Sequence, residues 1–170
     1  MKQKIKKHLN FLFMNITPNL AAGSETWKRI GKSVEWTDTM NVQQTTYDFI
    51  EDSSPTTVNE NYQPSTSMPL TAFIGDPIFA YIFDIYQKQQ TDATTQILRV
   101  FQNTVTTGSR VAQRTNVLIT IDNYNIATGV ITFNIAQSGT PTAGTASIAE
   151  STDTDGETIY TPTFTPTPST

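Results

Sequence analysis

A chain of 170 residues and 18.8 kDa holds one domain with a real hydrophobic core and is too short for two of full size. Its hydrophobic share of 36% and charged share of 15% fall below the globular averages of roughly 45–50% and 25%; 31 threonines, β-branched and strand-favouring, take up the difference, and 10% aromatic residues argue against wholesale disorder. A net charge of −4 and a pI near 4.8 argue against a surface that grips nucleic acid phosphates throughout.

The amino terminus is basic over residues 1–7, with Lys2, Lys4, Lys6 and Lys7, and fairly apolar from His8 to Ile16. Followed by Leu20-Ala21-Ala22-Gly23, it has the outline of a secretory signal peptide. Asn10 and Asn15 interrupt the apolar stretch, however, and Leu9, Phe11 and Phe13 alternate with His8, Asn10, Leu12 and Met14. That alternation favours a basic arm leading into a first strand with one buried face. No run approaches the ~18 apolar residues of a membrane span. Strand-like runs follow at residues 7–17, 26–30, 34–49, 96–102, 110–122 and 129–136, with a short one at 145–148. Val117, Ile119 and Ile121 share one strand face, as do Ile131, Phe133 and Ile135, which suits two packed sheets. Residues 123–129 carry turn formers and predict an antiparallel hairpin with a moderately long loop.

Gly75-Asp76-Pro77 breaks the β pattern. Asp76 as N-cap and Pro77 at the first helical position predict a helix over residues 77–89. Its apolar side chains cover much of its circumference and leave Asp84, Gln87 and Lys88 polar, so it flanks a sheet. Residues 51–67, with Ser53-Ser54-Pro55, Asn59, Asn61 and Pro64, read as a loop longer than the ~12–15 residues usual without a function. The Thr/Pro-rich residues 150–170 read as an extended tail. The expected organisation is therefore a basic arm (1–7), a domain (8–149) and a tail (150–170). Its expected class is mainly β: a two-sheet β-sandwich with one flanking α-helix, a long loop and extended terminal arms.

Charge is segregated along the chain. Residues 33–87 contain no Lys or Arg but eight acids: Glu35, Asp38, Asp48, Glu51, Asp52, Glu60, Asp76 and Asp84. In residues 93–149, Arg99, Arg110 and Arg114 meet only Asp122. Such asymmetry suits copies of one protein meeting head to tail, with Lys2, Lys4, Arg110 and Arg114 as candidate basic contacts; a solvated acidic face fits it equally. Chemistry finds little to work with. The absence of cysteine removes disulfides, thiolate zinc sites and cysteine nucleophiles, and His8 is the entire imidazole supply. Glu35 with Asp38, or Glu51 with Asp52, could be paired as acid and base, but polar surroundings give no burial to shift their pKa values. Asp153-Thr154-Asp155-Gly156-Glu157 lacks the EF-hand spacing and reads as a solvated acidic turn. Trp27 and Trp36 suit a core or sheet edge better than a ligand platform. No catalytic residue, metal or cofactor is expected.

The order of these elements resembles a known family. The basic arm, the first strand, Thr26-Trp27-Lys28-Arg29-Ile30-Gly31-Lys32, a long strand from Trp36 to Tyr47, an acidic loop and Gly75-Asp76-Pro77 opening a helix are together similar to the major tail proteins, or tail tube proteins, of long-tailed bacteriophages. The later strands and Gly139-Thr140-Pro141-Thr142-Ala143-Gly144-Thr145 fit the same plan, so the likeness spans about residues 5–149. It implies a tail-tube-like β-sandwich that assembles into hexameric rings, stacked into a hollow tube through which genomic DNA leaves the capsid. It further implies a virion protein made in the bacterial host cytoplasm, with tape measure, tail tip and terminator proteins as partners, no membrane, and DNA that passes without specific binding. In that family an extended loop and the terminal arms contact the adjacent ring; Glu51, Asp52 and Tyr62 match the loop by position. A DNA conduit is expected to be negative and poor in bases, since each neutralised phosphate adds affinity. Glu35 and Asp38, or alternatively Asp48, are the candidate lumen-facing acids. The rival reading is a secreted or surface-attached β-sandwich binding module, with residues 1–23 as a signal and the Thr/Pro tail as a stalk. It leaves the alternation, the segregated charge and the capped helix unexplained.

Overall fold

The computed structural model describes residues 10–19, 23–51, 53–101 and 108–168. In chain order the elements are β1 (Phe11–Asn15), β2 (Trp27–Arg29), β3 (Thr37–Thr39), β4 (Val42–Tyr47), β5 (Thr56–Tyr62), β6 (Ser65–Thr71), α1 (Pro77–Lys88), β7 (Thr94–Phe101), β8 (Arg110–Asn125), β9 (Val130–Thr152) and β10 (Thr158–Pro166). The fold is mainly β, with two unequal antiparallel sheets and one flanking helix among the described residues. The larger sheet runs β2-β1-β7-β8-β9-β6-β3; β9 carries β6 near its start and β10 near its end. The smaller sheet is the β4-β5 hairpin.

The large sheet curls until its edges meet. Ile30 N–H donates to the Leu12 carbonyl at 2.8 Å, and Thr71 N–H donates to the Lys32 carbonyl at 3.1 Å. Two residues of chain span ~7 Å. Yet β1 and β6 lie four strand spacings apart in the ladder, about 19 Å if the sheet were flat. Inside the curl Leu12, Met14, Met68, Leu70, Ile97, Val117, Ile119, Ile131, Phe133 and Ile135 form the main core, and α1 adds Ile78, Ile82 and Ile85. Phe11, Phe13, Leu98 and Val100 belong to a second core with Ala112 and Ala146, against which Trp27, Ile148, Tyr160 and Phe164 pack. β1 is therefore buried on both faces, not on one as its alternation predicts. That is why Phe11-Leu12-Phe13-Met14 is continuously apolar.

The helix follows its sequence signals closely. The Asp76 carboxylate accepts from Ile78 N–H at 2.9 Å, and Pro77 occupies the first turn. Lys88 is the last helical residue and Gln89 caps the end at φ 49°, one residue inside the predicted bound.

Further expectations are corrected. The run 34–49 is not one strand: Asn41, at φ 44°, turns the chain between β3 and β4, a conformation asparagine tolerates better than most residues. Residues 51–67 are not a long loop but contain β5 and the start of β6. β5 is exposed along its whole length, so no hydrophobic alternation marks it in the sequence. The loop between β8 and β9 is also shorter than predicted: Asn125 Oδ1 accepts from Ala127 and Thr128 N–H, and Gly129 at φ 65° returns the chain into β9. The run 145–148 is not separate but lies within the 23-residue β9.

Nor is the carboxy-terminal stretch an extended tail. β9 continues to Thr152, Asp153 Oδ1 accepts from the N–H groups of Asp155 and Glu157 at 3.0 and 2.8 Å, and β10 returns along β9. Phe164 lies across Gly144, where an added Cβ would stand 2.7 Å from the ring and press on the Thr165 carbonyl. The sequence hides this strand because its two anchors, Tyr160 and Phe164, are separated by threonine and proline. Gly144→Ala is expected to lower the unfolding free energy by about 1–3 kcal/mol through overpacking, read by urea denaturation, and to speed proteolysis within residues 158–166. Unchanged stability and cleavage would show that β10 is not held through this contact.

Candidate interaction surface

The most unusual surface is built by β4 and β5. The two strands pair from Val42–Tyr62 to Tyr47–Thr56, with a register shift at Gln43/Gln44. Their side chains form a polar ladder: Gln44 Nε2 donates to Asn59 Oδ1 at 2.7 Å, Thr45 Oγ1 to Glu60 Oε1, and the Thr46 and Thr57 hydroxyls meet at 3.0 Å. This explains a strand pair with almost no buried residue. Towards the tip the character changes. Tyr47 and Phe49 stack at 5.7 Å and are exposed, Val58 lies open to solvent, and Ile50 is fully exposed. Asp48 and Glu51 stand among them.

The base of the hairpin is tied to the body. Asn41 Nδ2 donates to the Gln63 carbonyl at 3.0 Å and to Ser65 Oγ at 2.9 Å, and Gln63 N–H donates to the Asn41 carbonyl at 3.2 Å. Beside it β3 is pinned by a polar cluster that crosses the curl. Arg99, on the same face of β7 as Ile97, reaches Asp38 Oδ1 at 3.2 Å and Thr66 Oγ1 at 3.1 Å, and the Thr66 hydroxyl donates to the same carboxylate. The Arg99 side chain is 7% exposed and that of Asp38 35%. A guanidinium this deeply buried is costly unless paired, so the pair holds β3 against the opposite wall. The lone arginine in Ile97-Leu98-Arg99-Val100-Phe101 was the signal for this anchor, read in the sequence only as a charge.

The other candidates separate. Asp48 and Glu51 are brought together at the tip, whereas Tyr62 sits at the base, roughly 20 Å away along β5. Glu35 is exposed in the segment that crosses between the sheet edges, accepting from Thr37 Oγ1 at 3.1 Å. Arg110 and Arg114 lie over aromatic rings of their own chain, Phe11 at 5.1 Å and Phe164 at 5.3 Å. Lys2, Lys4 and Asp52 fall outside the described residues. Burial raises the Tyr81 hydroxyl above its ordinary pKa, and Asp84 adds to this while a hydrogen bond with Thr95 opposes it. Tyr81 thus stays neutral and serves packing. Among the described residues no three metal-ligating side chains gather, and no helix is long and apolar enough to cross a membrane.

No protein-family model matches the sequence, and no curated protein matches it. Solved structures do. A chain from the tail of an empty GTA particle, determined by helical refinement with C6 symmetry, aligns over 81% of this chain and 97% of its own, with a TM-score of 0.52 and 9% identity. The two chains share a fold. A chain of the six-fold symmetrised anti-feeding prophage baseplate aligns over 84% of this chain and 97% of its own at 10% identity, but its TM-score of 0.45 is too low to argue from.

The anchor makes a direct prediction. Asp38→Ala leaves Arg99 buried and unpaired, and is expected to cost about 3 kcal/mol in urea unfolding. Adding Arg99→Met removes the stranded charge and is expected to recover most of the loss. A neutral Asp38→Ala would show that β3 is held by its ladder alone.

Proposed function

We propose that this chain is the subunit of a phage-type tail tube, a structural protein that self-assembles into hexameric rings stacked around a conduit for DNA. The observation that carries the reading is the projecting hairpin. A two-stranded ribbon is marginal in water by itself, and this one presents Tyr47, Phe49, Ile50 and Val58 uncovered at and near its tip. Apolar side chains left uncovered at the tip of an arm are a surface made for a partner, and further copies of the chain supply one. The fold shared with a tail chain from a C6-symmetric particle supports six-fold rings.

The hairpin, with Glu51 at its tip and Tyr62 at its base, is then the inter-ring element, and Asp52 and the arm with Lys2 and Lys4 are proposed to assist it. Glu35 and Asp48, exposed acids in a stretch without Lys or Arg, are proposed to face the lumen and keep DNA from adhering. Asp38 leaves that set, because Arg99 compensates its charge. Arg110 and Arg114 keep their role over Phe11 and Phe164. Tape measure, tail tip and terminator proteins are the further partners proposed, and the virion the location.

Light scattering and negative-stain electron microscopy of the full-length protein over a concentration series test this. Rings or hollow filaments are expected, and the Phe49→Ser/Ile50→Ser double variant is expected to remain monomeric with an unchanged circular dichroism spectrum, since burying two such side chains is worth about 3–6 kcal/mol per contact. A wild-type chain that stays monomeric at every concentration, with or without a tail-tip nucleus, would overturn the reading.

A further inference from the structure

Among the described residues, exposed apolar side chains gather at the hairpin base, with Met40, Val42 and Tyr62, and at two places further out. One is the hairpin tip with Phe49 and Ile50; the other is the loop after β6, with Phe73 and Ile74, beside the β8–β9 turn that carries Ile126. Ala72 N–H donates to the Gly129 carbonyl at 2.7 Å and holds that loop to that turn. The strand directions set these surfaces at opposite ends of the body. β6 begins at Ser65, at the base of the hairpin, and runs away from it to Thr71, so Phe73 and Ile74 emerge at the far end. Ile50 and Ile74 are both fully exposed.

We propose that the hairpin tip of one copy docks on the Phe73–Ile74–Ile126 surface of the next. This rests on the self-assembly reading and names the receiving surface. One charge pair suits the same match: Lys32 Nζ stands 5.0 Å over the Phe73 ring, while the tip carries Glu51. Acids stand near the receiving end too: Asp76 accepts from Ile78 N–H, Asp122 accepts from Asn134 Nδ2, and Glu157 lies 3.8 Å from Lys32, a loose and exposed contact that Glu51 of the tip can share. Because donor and acceptor lie at opposite ends, the contact is heterologous: it leaves a free tip and a free acceptor on every pair and repeats along a line.

The chain has no cysteine, so introduced thiols react against an empty background. Full-length Ile50→Cys and Ile74→Cys proteins are mixed at an assembling concentration and treated with a short bismaleimide reagent. Cross-linked dimer is expected roughly ten-fold above either variant alone, because docking raises the effective concentration of the two thiols towards the mM range. Lys32→Glu is expected to raise the concentration needed for assembly, and Glu51→Lys to restore it. Assembly with cross-linking at background, or with Ile50→Cys joining only to itself, overturns the receiving surface while leaving self-assembly intact. Failure of the wild-type chain to assemble overturns both.

Discussion

Closure of the curled sheet is the constraint on which the rest of the structure depends. Two residues carry the chain from the β1 edge to the β6 edge, and that short crossing requires the intervening strands to bend around a common core. Once bent, the concave side accepts Leu12, Ile97, Ile119 and Phe133 under one helix, and the opposite face of β1 and β7 needs a cover of its own, provided in part by Trp27, Tyr160 and Phe164. Arg99 then finds Asp38 and Thr66 across the curl because β7 and β3 have become opposing walls.

This arrangement divides the molecule into a saturated body and an unsatisfied arm. The body consumes much of its edges: β2 and β3 are joined by the crossing segment, and β9 is flanked on both sides over residues 130–136 and 144–146. The hairpin has neither a buried face nor a neighbouring strand, and its polar ladder gives register without a core. An association surface drawn from the least stable part of a protein is ordered fully only when covered. On the proposed function, self-assembly would act on the hairpin as burial acts on the body.

What could be read from the residues was the part governed by local chemistry or strict alternation. Gly75-Asp76-Pro77 placed the helix within one residue, and Val117/Ile119 with Ile131/Phe133/Ile135 marked an inward face. Stretches without that periodicity were not legible. β5 is exposed on both faces, β10 buries Pro162 and half-buries Ile159, Tyr160 and Phe164 among threonines, and the turn at Asn41 carries neither glycine nor proline. Of the candidate site, Glu51 and Asp48 were found as charges, but the apolar tip around them and the Phe73–Ile74 surface were not, since their meaning lies in exposure. Asp38 was read as a free acid because its partner lies 61 positions away in the chain.

The most direct test is hydrogen exchange of the backbone amides of Val42–Tyr62, in dilute monomer and in assembled protein. The account predicts rapid exchange in the monomer, against strong protection in β8 and β9, and slowing of about ten-fold or more in the hairpin on assembly. A hairpin already protected in the monomer, or still unprotected in the assembly, would contradict it.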